Sequence, residues 1–173
     1  MGDQSYEDIK HAAALALNRV DPTEPFGSEL FLAVARVSIT TCVESVCLRW
    51  GDNGRVEVLL AKRDPEDPAY PSMWHCPGTA MRVGETIQDM FDRLAKREYW
   101  TKVKSYRFVG FDNNQHEARG HFIHLVYLTE LDVMSGHGTG KDQWFGIEQL
   151  PDGIVDHHRT TIIPMAVRKF RGE

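Results

Sequence analysis

The sequence predicts an α+β domain, and three observations lead there. A turn at Pro77-Gly78 runs into an apolar pattern of helical period between Ile87 and Leu94. Upstream, two apolar runs flank Gly51-Asp52-Asn53-Gly54, a hairpin turn with glycines where positive φ is needed. Downstream, Tyr106 to Phe111 and His121 to Glu130 read as further strands. With 173 residues, 42% of them hydrophobic, the chain can bury one core and has little left for a second.

The elements follow in order. Tyr6 to Val20 reads as a short helix whose apolar residues are Ala12, Ala13, Leu15 and Leu17, and Asp21-Pro22-Thr23-Glu24-Pro25 breaks it. Glu29 to Val37 is a second helix or the start of a strand; the apolar run does not decide. Val43 to Trp50 and Arg55 to Ala61 are the two strands of the hairpin, followed by a Pro- and Asp-rich loop from Asp64 to Pro71. Thr86, with Asp89 three residues on, opens the central helix in a capping-box-like start. Ser135 to Gly140 is a glycine-rich loop, Thr160 to Lys169 a closing helix, and His157-His158-Arg159 its capping turn.

The central helix holds an anomaly. With Ile87 at zero and 100° per residue, Met90, Phe91 and Leu94 fall within about 60° of it, and Glu98 falls at about 20°, inside the apolar stripe. A carboxylate on a core-facing stripe costs several kcal/mol unless a cation pairs with it. The alternative is that the stripe emerges at the last turn and Glu98 reaches water.

Spacing adds to this. Pro77 to Glu98 resembles the Nudix box, whose pattern is Gly, five residues, Glu, seven residues, Arg-Glu-apolar-any-Glu-Glu-any-Gly. Glu85, Arg93 and Glu98 fill the first acidic position, the arginine and the last glutamate, and Trp74-His75-Cys76-Pro77-Gly78 looks like the W-x-x-P-G run that leads into the box. Thr79 replaces a glycine, Leu94 and Arg97 replace two glutamates, and Trp100 replaces the closing glycine. Arg93-Leu94-Ala95-Lys96-Arg97-Glu98 is similar to the degenerate box of the GDP-mannose mannosyl hydrolases. Leu59 to Arg63, His121 to Leu128, and Gln143-Trp144-Phe145 with Leu150-Pro151 look like the family's leading strand, a later core strand and its Trp-containing turn. The resemblance spans roughly Val43 to Phe170. It implies a Nudix-type α/β/α sandwich with a mixed, twisted sheet over residues 43–173, on which an N-terminal segment, 1–42, packs.

The resemblance also implies site residues. The metal glutamate maps onto Glu98, with a main-chain carbonyl near Gly78 or Thr79 completing the protein ligands of one Mg²⁺, or alternatively Mn²⁺. Glu85 is the alternative ligand, and a salt bridge to Arg93 is its structural role. Arg63 and Arg93 match arginines that grip the diphosphate, a task that suits the paired donors of a guanidinium. Arg63 could equally be an exposed strand-end arginine. The family's third arginine is Ala80 here, and Arg82 lies in a different register. His137 is the candidate general base, because a histidine titrates near working pH and a loop can bring it to a water. His121 and His124, three apart on a strand, face opposite ways and cannot share a metal.

One remaining box glutamate favours a single ion, which suits water attack at a sugar carbon with nucleoside diphosphate leaving. The expected function is a Mg²⁺-dependent nucleoside diphosphate sugar hydrolase. A pyrophosphohydrolase with ligands from elsewhere, such as Glu117, and a non-catalytic Nudix-fold binding module are the alternatives. The net charge of −5 argues against a nucleic-acid surface, and the cluster Arg93, Lys96, Arg97, Lys102, Lys104 and Arg107 reads as a solvated face. Met1 to Asn18 is too polar for a signal peptide or membrane span. A cytoplasmic protein with three reduced cysteines and a small nucleotide as partner is therefore expected, with a homodimer left open.

Overall fold

The computed structural model describes residues 5–99, 101–132 and 142–173. Helices α1 (Tyr6–Leu17) and α2 (Gly27–Ala35) precede the strands, so the Glu29–Val37 run is helical. A Ser5–Asp8 capping box opens α1, yet α1 buries none of its residues. α2 packs inward through Ala35, beside Cys42 and Phe122.

Strand β1 (Ile39–Val46) begins earlier than the apolar run suggests and does not continue to Trp50. The chain passes at Cys47 into β2 (Leu48–Trp50), which belongs to a different sheet. The first sheet has the order β5 (Gly78–Ala80), β1, β7 (Gly120–Leu131), β6 (Val103–Glu117). It is mixed, because β1 runs parallel to β7 while β5 and β6 are antiparallel to their neighbours. In the second sheet β3 (Val56–Lys62) pairs antiparallel with β2, with β4 (Trp74–His75) and with β8 (Asp142–Gly146). Trp144 thus lies within a strand rather than in a turn.

Alternation along β1 divides the core, since successive side chains leave opposite faces of a strand. Val43 joins Leu59, Met90, Phe91, Leu94 and Tyr127 under the central helix α3 (Ile87–Leu94). Val46 joins Leu60, Val126, Ile162, Ile163 and Ala166 under the closing helix α4 (Ile163–Arg171). Helices therefore cover both faces of the strands, giving the α/β/α sandwich. No described helix is long and apolar enough to cross a membrane. Cys42, Cys47 and Cys76 are free and buried; Cys42 and Cys47 belong to different core clusters and form no disulfide.

The central helix ends differently from the wheel. Thr86 and Asp89 form the capping box, with Asp89 N–H donating to Thr86 Oγ1 at 3.2 Å and Thr86 N–H to Asp89 Oδ2 at 2.9 Å. After Leu94 the backbone continues as a π-helical turn, Ala95–Tyr99. Bonding from i to i+5 stacks Tyr99, not Glu98, above Leu94. Tyr99 is accordingly buried and its hydroxyl donates to Ser45 Oγ at 2.8 Å, while Glu98 is moved out of the stripe and is only half-buried.

Candidate functional site

Gly78–Ala80 and α3 are held together by one side chain. Arg93 donates from Nε to Glu85 Oε1 and from Nη2 to Glu85 Oε2, both at 2.7 Å, and from Nη2 to Ala80 O at 2.9 Å. Its Nη1 donates to Thr79 Oγ1. The paired fork explains why Glu85 is held below the usual carboxylate range, the hydrogen bonds from Arg93 being the largest cause. Glu85 also accepts from Arg82 N–H at 2.9 Å, so both of its oxygens are engaged. Arg93 and Glu85 thus fasten the turn to the last turn of α3.

Gly78 has a tight surrounding. A Cβ there would lie 2.6 Å from Glu44 Oε2 and 2.8 Å from Val43 O. Both are closer than real Cβ contacts, and Glu44 is buried, so it cannot swing out freely. Gly78→Ala is expected to lower unfolding stability by about 1–3 kcal/mol, the usual range for overpacking, as measured by urea denaturation.

Arg63 follows β3, and its side chain is largely buried rather than exposed. Its Nη1 donates to Asp67 Oδ2 at 2.9 Å, and its guanidinium lies 5.6 Å from the centre of the Tyr70 ring. Arg119, ion-paired with Glu117 at 2.6 Å, flanks the same ring at 5.6 Å. Glu98 is half-buried, and among the described residues its carboxylate has neither a hydrogen bond nor an ion pair. His137, with Gly138 and Thr139, lies outside the described residues. The structure joins Glu85 and Arg93 to Thr79 and Ala80, whereas Gly78 packs against Glu44 and Val43, and Arg63 belongs to a separate set with Asp67 and Tyr70.

A further constellation lies behind Gly78 and was not singled out in the sequence. Cys42 and Glu44 share one face of β1, and parallel pairing places His124 of β7 directly beside Cys42. His124 Nδ1 lies 3.0 Å from Glu44 Oε1 and 3.2 Å from Cys42 Sγ. His157 and His158 face this group instead of serving only as a helix cap. The His157 ring is 4.8 Å from that of His124, and His158 Nδ1 accepts the Cys76 N–H at 3.1 Å. Burial holds His158 well below the ordinary histidine range and pushes His75 down to about 3, so both are neutral at pH 7. Burial likewise pushes the Cys42 thiol up, with the Glu44 carboxylate adding to it. The useful sequence signal was Cys42-x-Glu44 at strand spacing; its partner depends on the β1–β7 register, which no local pattern gives.

No protein-family model matches the sequence, and no curated protein matches it. Solved structures do match. NrtR from Shewanella oneidensis aligns with a TM-score of 0.60 at 17% identity, over 76% of this chain and 63% of that one. The NUDIX domain of the same protein, complexed with ADP ribose, aligns at 0.57 and 15% identity, over 91% of this chain and 97% of that one. A MutT protein from Methanosarcina mazei Go1 aligns at 0.60 and 14% identity, over 76% and 95%. The chain therefore has the Nudix fold. It spans less than two thirds of the length of the NrtR chain it matches.

Proposed function

We propose that this chain is a divalent-metal-dependent hydrolase of a nucleoside diphosphate linked to a sugar, with Glu98 as its metal carboxylate. The observation that carries this reading is the state of the box carboxylates. Glu85 is saturated by Arg93 and Arg82, whereas Glu98 is half-buried with no protein partner among the described residues. A half-buried carboxylate without a partner fits one Mg²⁺, which takes few protein ligands and keeps water and substrate oxygens. When bound, the ion would neutralise the diphosphate. A main-chain carbonyl near Gly78 or Thr79 is the proposed second protein ligand, and Arg63 and His137 are the proposed diphosphate and water-activating groups.

With Glu85 taken up by Arg93 and Arg82, the box offers one free glutamate and no second one for another ion to position a phosphorus-attacking water. Attack at the sugar carbon, as in the mannosyl hydrolases, is the reading that needs only the leaving diphosphate to be stabilised. The solved NUDIX domain complexed with ADP ribose supports a nucleoside-diphosphate-linked sugar as the substrate class. The acidic balance of the chain favours such a small ligand over nucleic acid. A cytoplasmic setting would supply it.

A second reading rests on the arginines. Arg93 and Arg63 are both committed to internal carboxylates, which suits a module that binds the ligand without turning it over. A panel of nucleotide sugars with and without Mg²⁺, with products separated by chromatography, decides. Mg²⁺-dependent release of nucleoside diphosphate and free sugar is expected; monophosphate products would support phosphorus attack, and binding without turnover would support the module.

A further inference from the structure

We propose that Cys42, Glu44 and His124 form a second metal site, selective for Zn²⁺-like ions and separate from the box. The three ligand atoms lie close together: Cys42 Sγ is 3.8 Å from Glu44 Oε1 and 3.2 Å from His124 Nδ1, and the latter two are 3.0 Å apart. All three side chains are buried. A triangle of this size admits a point roughly 2.0–2.3 Å from every corner, the range in which Zn²⁺ holds sulfur, nitrogen and oxygen donors.

Without an ion the cluster is poorly satisfied. A ring nitrogen has either one proton or one lone pair, directed along a single line. His124 Nδ1 cannot both donate to Glu44 and accept from Cys42, yet it approaches both within 3.2 Å. Glu44 is 6% exposed, and its Oε2 has no hydrogen-bond partner among the described residues. An unpartnered carboxylate oxygen in that setting is expensive. The neighbouring Arg119 is engaged by Glu117 at 2.6 Å. A divalent cation on the Nδ1 lone pair resolves this conflict, and with the Cys42 thiol and Glu44 carboxylate both ionised the buried site becomes neutral. The thiol proton leaves to solvent on metallation.

The donor set selects the ion. Thiolate and imidazole favour Zn²⁺ and disfavour Mg²⁺, which prefers oxygen. His158 lies just outside the triangle. Because its Nδ1 accepts the Cys76 N–H, its proton is on Nε2, which faces Glu44 Oε2 at 3.9 Å. At that distance it makes no hydrogen bond, so Glu44 Oε2 remains available to an ion. The ion would pin β1 to β7 beneath Gly78, so its expected effect is on stability.

Cobalt tests the proposal. Chelator-treated protein is titrated with Co²⁺ and then Zn²⁺, following thiolate-to-cobalt charge-transfer absorption and thermal midpoint. One equivalent of Co²⁺ should produce the charge-transfer band, and Zn²⁺ should displace it and raise the midpoint. Cys42→Ser should abolish the band, and His124→Ala should weaken binding by about a hundredfold or more. Glu98→Gln should leave the band, and the one equivalent of Co²⁺ that produces it, unchanged, which separates this site from the hydrolase site. Should the variants at Cys42 or His124 not fold, Cys47→Ser and Cys76→Ser, expected to keep the band, assign it to Cys42. Absence of a thiolate band in the unaltered protein, or its survival in Cys42→Ser, would overturn the proposal.

Discussion

Replacing Glu98 with Gln is expected to lower Mg²⁺-dependent turnover of the nucleotide sugar by about a hundredfold or more while leaving the thermal midpoint within about 1 °C of the unaltered protein. The amide keeps the shape of the side chain and loses the charge that holds the ion. Stability should hardly change, because the half-buried carboxylate has no protein partner to lose among the described residues. Kinetics across a Mg²⁺ titration, beside circular dichroism, read both quantities. A Glu98→Gln variant with an undiminished Mg²⁺ response would remove that residue from the metal site.

Arg93→Ala should behave in the opposite way, with its first effect on stability. The side chain joins Glu85, Thr79 and Ala80 across the turn, and both members of the ion pair are about 15% exposed. That places the pair between an exposed bridge, worth under 1 kcal/mol, and a fully buried one, whose breakage costs 3–5. A loss of about 2 kcal/mol is expected from denaturant unfolding. The pH dependence has a definite sign. Glu85 has a lowered folded-state pKa, so its contribution is present above the pKa of an unfolded glutamate and is lost as pH falls through the folded value. The unaltered protein should therefore lose stability on acidification through that window, and Arg93→Ala should lose less over the same interval. A variant as stable as the parent at neutral pH would free Arg93 for the diphosphate role assigned by resemblance.

Much of the fold was legible because its signals are local. Thr86 with Asp89, the Gly51–Gly54 hairpin and the Ile87–Phe91–Leu94 stripe each specify an element from neighbouring residues, and each is found in the structure, although of the two turn glycines Gly54 alone takes positive φ. Cys47 shows where legibility ended. The apolar run from Val43 to Trp50 contains no break, and the exchange between sheets depends on what pairs with each half. The end of α3 departs from the wheel for a related reason. A wheel at 100° per residue assumes one helical geometry throughout, and the π turn at Ala95–Tyr99 exchanges Tyr99 for Glu98 on the buried side.

The site was legible only in part. The Glu85–Arg93 contact lies within one turn-and-helix unit, so spacing alone brings its partners close. Arg63 finds Asp67 in the following loop, a local pairing hidden by the irregular backbone between them. The Cys42–Glu44–His124 group needs residues about eighty positions apart, joined by parallel strands whose register is set by the whole core. His157 and His158 reach it because the turn before α4 folds back onto β1 and β7 and directs both rings inward.

Hydrolysis of the preferred nucleotide sugar in ¹⁸O-labelled water tests the proposed chemistry most directly. Water that attacks the sugar carbon leaves its oxygen in the free sugar, so mass spectrometry should find the label there and none in the released nucleoside diphosphate. Label in a phosphate group would contradict attack at carbon and make the chain a pyrophosphohydrolase.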